Sequence, residues 1–251
     1  MQKKRNIKMV IAYDGTRYNG WQKQGNTENT IQGKLERVLS GILEEEIEVH
    51  GSGRTDAGVH AKAQVANFHT NSDVALDDIW TVLTMYLPND IAVEQIEEVQ
   101  PRFHSRLNAT SKCYRYRIWN SHVPNVFEHR FLCQIDQTLN VELMKEAAKR
   151  FEGTHDFKAF CSNKKMKKST VRTIYSIEIE QDRQEISMKF HGNGFLYNMV
   201  RIIAGTLIEV GLGKRKPAEM DAIIASMNRE EAGFTAQAQG LCLESVSYEN
   251  Q

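Results

Sequence analysis

The stretch GSGRTDAGVHA, residues 51 to 61, carries the strongest functional signal in the chain. Its three glycines surround Arg54 and Asp56, and such a glycine density lets a backbone turn tightly where a substrate must approach. Strand-like sequence at 47 to 50 and at 63 to 70 indicates a loop between two strands. Two interpretations of Asp56 stay open here: a functional carboxylate held beside a cation, or a turn residue that caps a backbone amide. A phosphate-binding P-loop is disfavoured, because no Gly-Lys-Ser/Thr triplet follows.

The composition is that of a folded globular protein. The chain has 251 residues, 25% of them charged, with 41% hydrophobic, which excludes disordered and fibrous classes. Its 32 basic and 32 acidic residues give a formal net charge of zero, so any contact with RNA must come from local patches rather than from a global basic field. The length allows one large domain or two modest ones.

The cysteines and the apolar segments bear on compartment. Cys113, Cys133, Cys161 and Cys242 are widely spaced and form no CxxC pair, which argues against a zinc site and a disulfide framework and favours free thiols in a reducing compartment. The N-terminal MQKKRNIKMV lacks a signal-peptide apolar stretch, and no run of about 18 apolar residues occurs. We therefore expect a cytoplasmic protein with no membrane association.

Strands and helices are mixed along the chain without a regular βαβα alternation, which predicts an α+β fold in two halves. Predicted strands cover residues 6–13, 47–50, 63–70, 91–99, 112–119, 171–180, 185–192 and 241–248; predicted helices cover 30–43, 76–87, 140–151, 194–211 and 217–228. In the first helix Thr30 is the expected N-cap, and one apolar face is formed by Ile31, Leu35, Val38, Leu39 and Ile42. The boundary falls between 100 and 140, and we divide the chain into residues 1–105 and 106–251.

The loop motif resembles the signature of the TruA family of tRNA pseudouridine synthases, which reads close to GRTDAGVHA. The resemblance continues, in the family's order, through YDGTRYNGWQKQ (12–23), LPNDIAV (87–93), FHSRLNATSKCYRYRI (103–118), GFLYNMVRIIAGTLIEVG (194–211) and QGLCL (239–243). It therefore spans nearly the whole chain. Cys242 departs from the pattern, since the family often has tyrosine there, but the flanking Leu241 and Leu243, expected in the base pocket, remain.

This resemblance implies a fold, an activity and partners. The fold would consist of two α/β half-domains with mainly antiparallel sheets lining a central basic cleft, the first carrying the aspartate loop and the second the tyrosine strand and the arginine helix. The activity would be isomerisation of uridine to pseudouridine at positions 38, 39 and 40 of the tRNA anticodon stem-loop. The resemblance also implies a homodimer, no metal and no organic cofactor.

Four residues match the family's active site by their position within these motifs. Asp56 corresponds to the essential aspartate, Arg54 to the arginine that accompanies it, Tyr114 to the active-site tyrosine, and Arg201 to the arginine of the MVR helix. A nucleophilic carboxylate must be ionised, which a nearby arginine favours, so we expect Arg201 to pair with Asp56. Tyr114 offers a face on which uracil can stack, and Arg54 can fill the gap left by an extruded base.

Each of these roles has a structural alternative. Without the family match, Tyr114 would more often be a core or sheet-surface aromatic, and a single arginine in an apolar helix usually extends to solvent. His60 is expected to be structural. Two rival functions also stay open: a non-catalytic RNA-binding module, and an aspartate-based glycoside hydrolase, which would require a second carboxylate that the matched motifs do not offer.

Basic residues in three segments are candidates for binding RNA phosphates, although a run of charges is often only a solvated surface. They are Lys164, Lys165, Lys167 and Lys168 in CSNKKMKKST, Arg102 and Arg106 in PRFHSR, and Lys112, Arg115 and Arg117 on the tyrosine strand.

Overall fold

The computed structural model describes residues 4–25, 27–163 and 166–249. These residues form two compact units. The first unit comprises the described residues up to Thr110 together with those from Leu243 onward, and the second unit comprises Ser111–Cys242. No helix among the described residues is long and apolar enough to cross a membrane.

The described residues of the first unit form antiparallel strands and two α-helices. Its elements in chain order are β1 (Arg5–Tyr13), α1 (Ile31–Leu43), β2 (His50–Gly51), β3 (His60–Thr70), α2 (Leu76–Tyr86) and β4 (Ile91–Val99). Strand β1 pairs antiparallel with β3 on one side and with β4 on the other. Strand β2 pairs antiparallel with the C-terminal half of β3, at Ala66 and Asn67. The inward face of β1 is buried, which makes this strand the centre of the core.

Helix α1 confirms the predicted N-cap and the buried positions Ile31, Leu35 and Leu39, whereas Val38 and Ile42 of the predicted face are half-buried. The Thr30 side chain accepts a hydrogen bond from the Gly33 amide at 3.2 Å, as an N-cap does. Ile31, Leu35 and Leu39 have no exposed surface, because the apolar stripe packs into the core.

The described residues of the second unit form three α-helices and a second set of strands. Its elements are β5 (Ala109–Asn120), β6 (Cys133–Ile135), α3 (Val141–Lys149), β7 (Gly153–Asp156), β8 (Val171–Asp182), β9 (Glu185–Gly192), α4 (Met199–Gly211) and α5 (Met220–Ser226). The strand order is β5-β9-β8-β7 with antiparallel pairing, and β6 runs parallel to β5. Mixed helices and mainly antiparallel strands confirm the predicted α+β class.

The last strand, β10 (Leu241–Tyr248), lies next to β3, and its residues from Leu243 onward belong to the first unit. Chain order alone groups these residues with the second half. They belong to the first unit because β10 pairs with β3, a strand far from it in sequence, and pairing determines which core a strand joins.

Candidate active site

Asp56 lies in the loop that connects β2 to β3, and the loop alternates between exposed and buried side chains. Thr55 is 7% exposed, and its hydroxyl is 2.8 Å from the Tyr13 hydroxyl in a buried hydrogen bond. Anchoring Thr55 leaves its neighbours directed outward: Arg54 is exposed and Asp56 is half-buried. Gly58 has φ +78°, a left-handed conformation that favours glycine, so the chain can turn directly after the carboxylate.

A second segment, residues 18 to 21, holds this loop by backbone contacts. The Trp21 amide donates to the Thr55 carbonyl at 3.1 Å, and the Gly58 amide donates to the Tyr18 carbonyl at 3.4 Å. Gly20 has φ +88°, and a Cβ there would lie 2.6 Å from the Thr55 carbonyl oxygen. The glycine of this motif is therefore required for the aspartate loop to approach so closely.

Asp90 holds that second segment in turn. Its Oδ2 accepts from Nε and Nη2 of Arg17 at 2.9 and 2.6 Å, and its Oδ1 accepts from the Tyr18 hydroxyl at 2.5 Å. Burial and the hydrogen bond to Asp90 raise the pKa of Tyr18, so the phenol stays protonated. Sequence reasoning did not identify Asp90 or Tyr18, although both lie inside the matched motifs LPNDIAV and YDGTRYNGWQKQ.

His60 has a structural position. Its ring is buried, and its Nδ1 accepts a hydrogen bond from the Gly15 amide at 3.0 Å. The imidazole thus ties the first residue of β3 to the turn after β1.

Arg54 lies at the surface of the first unit. Its Nε donates to the Gln22 side-chain oxygen at 3.0 Å, which steers a side chain that is otherwise exposed. Arg54 lies in the same loop as Asp56, two residues before it. Because its guanidinium is at the surface, it can reach a substrate without breaking a buried ion pair.

Tyr114 lies on β5 in the second unit and is 8% exposed. Its ring contacts Phe195 edge-on, with the centroids 5.3 Å apart and the planes at 88°, which fixes the ring plane. Tyr116, two residues along the same strand, is fully buried and donates its hydroxyl to the Gln237 carbonyl at 3.0 Å. Tyr116 is therefore a core residue. Tyr114 is also largely buried, as its structural alternative predicts, but it keeps a small exposed surface.

Arg201 lies in the first turn of α4 and is half-buried. Its Nε donates to the Ala236 carbonyl at 2.8 Å and its Nη1 to the Asn198 Oδ1 at 3.2 Å. The Ala236 amide also donates to the Arg201 carbonyl at 3.0 Å. This side chain is fixed by defined partners and does not simply extend to solvent, which was the structural alternative.

The structure brings together Arg54 and Asp56 in the first unit, and it places Tyr114 and Arg201 in the second. Leu241 and Leu243 are both buried, the former in the second unit and the latter in the first. The pairing of Asp56 with Arg201 stays a prediction.

The basic residues occupy several surfaces. In the second unit, Lys167 and Lys168 are exposed and line a cavity of about 530 Å³ together with Lys158 and Arg229. Lys164 and Lys165 lie outside the described residues. Arg102 and Arg106 are exposed on the first unit, whereas Lys112 on β5 is half-buried.

Arg117 does not fit the expected role in RNA binding. Its Nε and Nη2 donate to both carboxylate oxygens of Glu185 at 2.6 and 2.8 Å, and Nη2 also donates to Glu128 at 2.9 Å. Two carboxylates thus neutralise this guanidinium, one of them supplied by the neighbouring strand β9. Arg115 donates to the Ser187 hydroxyl at 3.0 Å and likewise faces β9.

The four cysteines are free thiols, as their spacing predicts. Within the described ranges, no three His, Cys, Asp or Glu side chains form a group that could hold a metal ion.

Comparison with known proteins places the chain in a family. The family model described as tRNA pseudouridine synthase matches residues 9–108 and 147–249. The chain is 48% identical over 243 residues to tRNA pseudouridine synthase A of Bacillus sp. (strain KSM-64), and 46% identical over 243 residues to tRNA pseudouridine synthase A 2 of Bacillus anthracis. Each alignment covers 97% of this chain and 99% of the relative.

Among solved structures, a chain in the crystal structure of a Cbf5-Nop10-Gar1 complex aligns with 96% of this chain at 13% identity and a TM-score of 0.36, and this chain spans 50% of that one. The sequence relatives and the family model, which matches long segments of both halves, carry the assignment. The chain belongs to the TruA family of tRNA pseudouridine synthases.

Proposed function

We propose that this protein isomerises uridine to pseudouridine in the anticodon stem-loop of tRNA, at positions 38, 39 and 40, with Asp56 as the catalytic carboxylate. The observation that carries the proposal is the clamped loop of residues 51 to 61, which holds one carboxylate half-buried within the signature of the TruA family. In keeping with the family resemblance, the proposed reaction uses neither a metal nor an organic cofactor.

The isomerisation breaks the bond between C1′ of the ribose and N1 of uracil, and forms a bond between C1′ and C5. The base must turn in between, C5 must lose its proton, and N1 must gain one. A carboxylate assists either by adding covalently or by stabilising the separated sugar. Asp56 suits both roles, because its loop is held by the backbone contacts of Thr55 and Gly58 and needs little reorganisation during the reaction.

The other proposed roles follow from position and chemistry. Arg54 would enter the stack as the target base leaves, since its guanidinium is exposed, planar and two residues from the carboxylate. Tyr114 would stack on uracil, with its ring plane set by Phe195. Arg201 would favour the ionised form of Asp56.

Leu241 and Leu243 would provide apolar surface for the base. Phosphates of the tRNA would be bound by exposed basic residues, in keeping with a chain that has no net charge. We assign this binding to Arg102, Arg106, Lys112 and the lysines at 164, 165, 167 and 168.

We also propose that the protein acts as a homodimer, following the family resemblance. A cytoplasmic location is proposed as well, because tRNA is modified there in bacteria, the source of its curated relatives.

The test is Asp56→Asn, with Asp182→Asn on the exposed end of β8 as the matched control. Pseudouridine is mapped on unmodified tRNA transcripts with and without each protein, and tRNA affinity is measured in the same buffer. The expected result is no detectable product with Asp56→Asn, with a tRNA Kd within a few fold of the parent and full activity in the control. Substantial turnover by Asp56→Asn would remove this carboxylate from the mechanism.

A further inference from the structure

Asn198, the residue before α4, has a backbone conformation that is unusual for its place. Its φ of 62° and ψ of 5° lie in the left-handed region. Among the described residues, the three other non-glycine residues with positive φ occupy positions where this conformation is common. Glu44 and Met227 end helices, and Arg183 lies in the turn between β8 and β9. Asn198 instead begins a helix, where the capping residue normally has an extended backbone.

The side chain of Asn198 is equally unusual. Asparagine is among the best N-cap residues because its oxygen accepts from a free amide of the first turn. Asn198 makes no such capping bond. Its Oδ1 instead accepts from Arg201 Nη1 at 3.2 Å, and its Nδ2 donates to the Ser162 hydroxyl at 3.0 Å.

These bonds give Arg201 a fixed orientation. Nε is held by the Ala236 carbonyl and Nη1 by the Asn198 amide oxygen, so two segments of the second unit grip different edges of the planar guanidinium. Ser162 holds the other end of the Asn198 amide, and its own backbone amide donates to the Tyr197 carbonyl at 3.2 Å. The carboxamide is therefore fixed at both ends.

We propose that Asn198 is a positioning residue, which sets the orientation of the Arg201 guanidinium for the reaction. The inference rests on the role of Arg201 in the proposed function. Asn198 leaves its helix without a side-chain cap and has a left-handed backbone while it contacts a functional side chain, and unusual conformations of this kind cluster at functional sites. None of the comparisons with known proteins assigns a role to this residue.

The primary variant is Asn198→Gly. Glycine accepts the left-handed backbone without strain, so the variant keeps the local chain path while removing both amide hydrogen bonds. We expect the single-turnover rate of pseudouridine formation at saturating tRNA to fall by about 10- to 100-fold, because small misplacements of a catalytic group have effects of this size. The tRNA Kd should stay close to that of the parent, and the thermal unfolding midpoint should fall by no more than a few degrees, which leaves the variant folded under the assay conditions.

Two further variants test the contact itself. Asn198→Asp retains an acceptor for Arg201 and a side chain that tolerates this backbone, but its carboxylate also neutralises the guanidinium, so it should recover only part of the lost rate. Ser162→Ala removes the support of the Asn198 carboxamide but leaves its bond to Arg201 in place, so its loss of rate should be smaller than that of Asn198→Gly. A larger loss in Ser162→Ala than in Asn198→Gly would overturn the proposal.

A double-mutant comparison separates positioning from general stability. If Asn198 acts through Arg201, adding Asn198→Gly to Arg201→Met should cause no further loss, whereas a structural role predicts that the two losses multiply. Multiplying losses would therefore overturn the proposal. Should Asn198→Gly fold poorly, the rates of the parent and the variant are compared at a lower temperature, at which the circular dichroism of the variant matches that of the parent.

The same set of proteins distinguishes the two proposals. An Arg201→Met variant with the parental rate would refute the role of Arg201, and the positioning role would fail with it. An inactive Arg201→Met alongside a fully active Asn198→Gly would refute the positioning role alone and leave the proposed function intact.

Discussion

Substituting Gly20 by alanine should displace the aspartate loop without touching any proposed catalytic side chain. The added Cβ would lie 2.6 Å from the Thr55 carbonyl oxygen and 3.1 Å from the Asp56 carbonyl carbon. Both neighbours are backbone atoms, so no flexible side chain can move aside. To reach an ordinary contact of 3.4 Å, the loop would have to retreat by about 0.8 Å.

Two costs follow from this geometry. A displacement near 1 Å at a catalytic group lowers rates by about 10²-fold, and we expect a loss of that order in the single-turnover rate of Gly20→Ala. Stability should fall by about 2 to 3 kcal/mol, of which about 1 to 2 kcal/mol reflects a non-glycine residue at φ +88° and about 1 kcal/mol the weakened hydrogen bond from the Trp21 amide to Thr55.

Two other glycines separate these effects. Gly213 has φ +71° with no atom within 4 Å of its added Cβ, so Gly213→Ala should show the backbone cost without the loss of rate. Gly41 in α1 also has open space, and Gly41→Ala should stabilise the helix by about 0.5 to 1 kcal/mol. Rates and urea unfolding curves are measured for all three. Parental activity in Gly20→Ala, with a stability equal to that of Gly213→Ala, would refute the clamping of the loop.

Two further predictions concern charge. The double variant Lys167→Ala/Lys168→Ala should weaken tRNA binding and lower the slope of log Kd against log salt by about 1.5, because each phosphate contact contributes roughly 0.7 to 0.9. Lys145→Ala on α3 is the control. An unchanged slope would mean that neither lysine contacts a phosphate. Hydrogen bonds from Arg117 lower the pKa of Glu185, so this carboxylate stabilises the folded state above its unfolded pKa and ceases to do so as pH falls through the folded value. Glu185→Gln should therefore unfold at a lower temperature than the parent at pH 7, and this difference should shrink as the pH falls below about 4.5, whereas a difference independent of pH would contradict the assignment.

Periodic patterns predicted secondary structure well where local rules decide. The apolar spacing of α1 and its Thr30 cap were confirmed because both depend on residues within one or two turns. The helix predicted from 194 begins at Met199 instead. The difference arises because Asn198 has a positive φ, and its side-chain contacts with Ser162 and Arg201 depend in part on the tertiary fold.

Charge roles were harder to predict. The alternation of KCYRYRIW indicated a strand, and β5 confirms it, but nothing local shows which basic residues find acidic partners. Arg117 is neutralised by Glu185, 68 positions away, through strand pairing that the sequence does not display. A basic residue on a strand is therefore a candidate for RNA binding only after its cross-strand neighbours are known.

The resemblance identified Asp56 and Arg54, yet the residues that hold them lie in motifs whose purpose the sequence did not reveal. Asp90 grips Tyr18, the Tyr18 carbonyl receives the Gly58 amide, and Gly20 lets the chain pass within contact of Thr55. None of these residues is assigned a chemical step in the proposed reaction; they act by holding the backbone of the aspartate loop. Their separation in sequence reflects the geometry of a sheet, in which β1, β3 and β4 are neighbours although tens of residues intervene.

An RTD triplet alone is therefore weak grounds for assigning this chemistry to another chain. The triplet specifies a carboxylate, but the backbone path that fixes it depends on a glycine able to lie against the loop and on an acidic residue after the second helix. A chain that retains the triplet but replaces Gly20 or Asp90 would have the reactive group without the support that limits its motion. Because catalysis by preorganised charge depends on that limit, the motifs around 12–23 and 87–93 are as informative about activity as the aspartate loop itself.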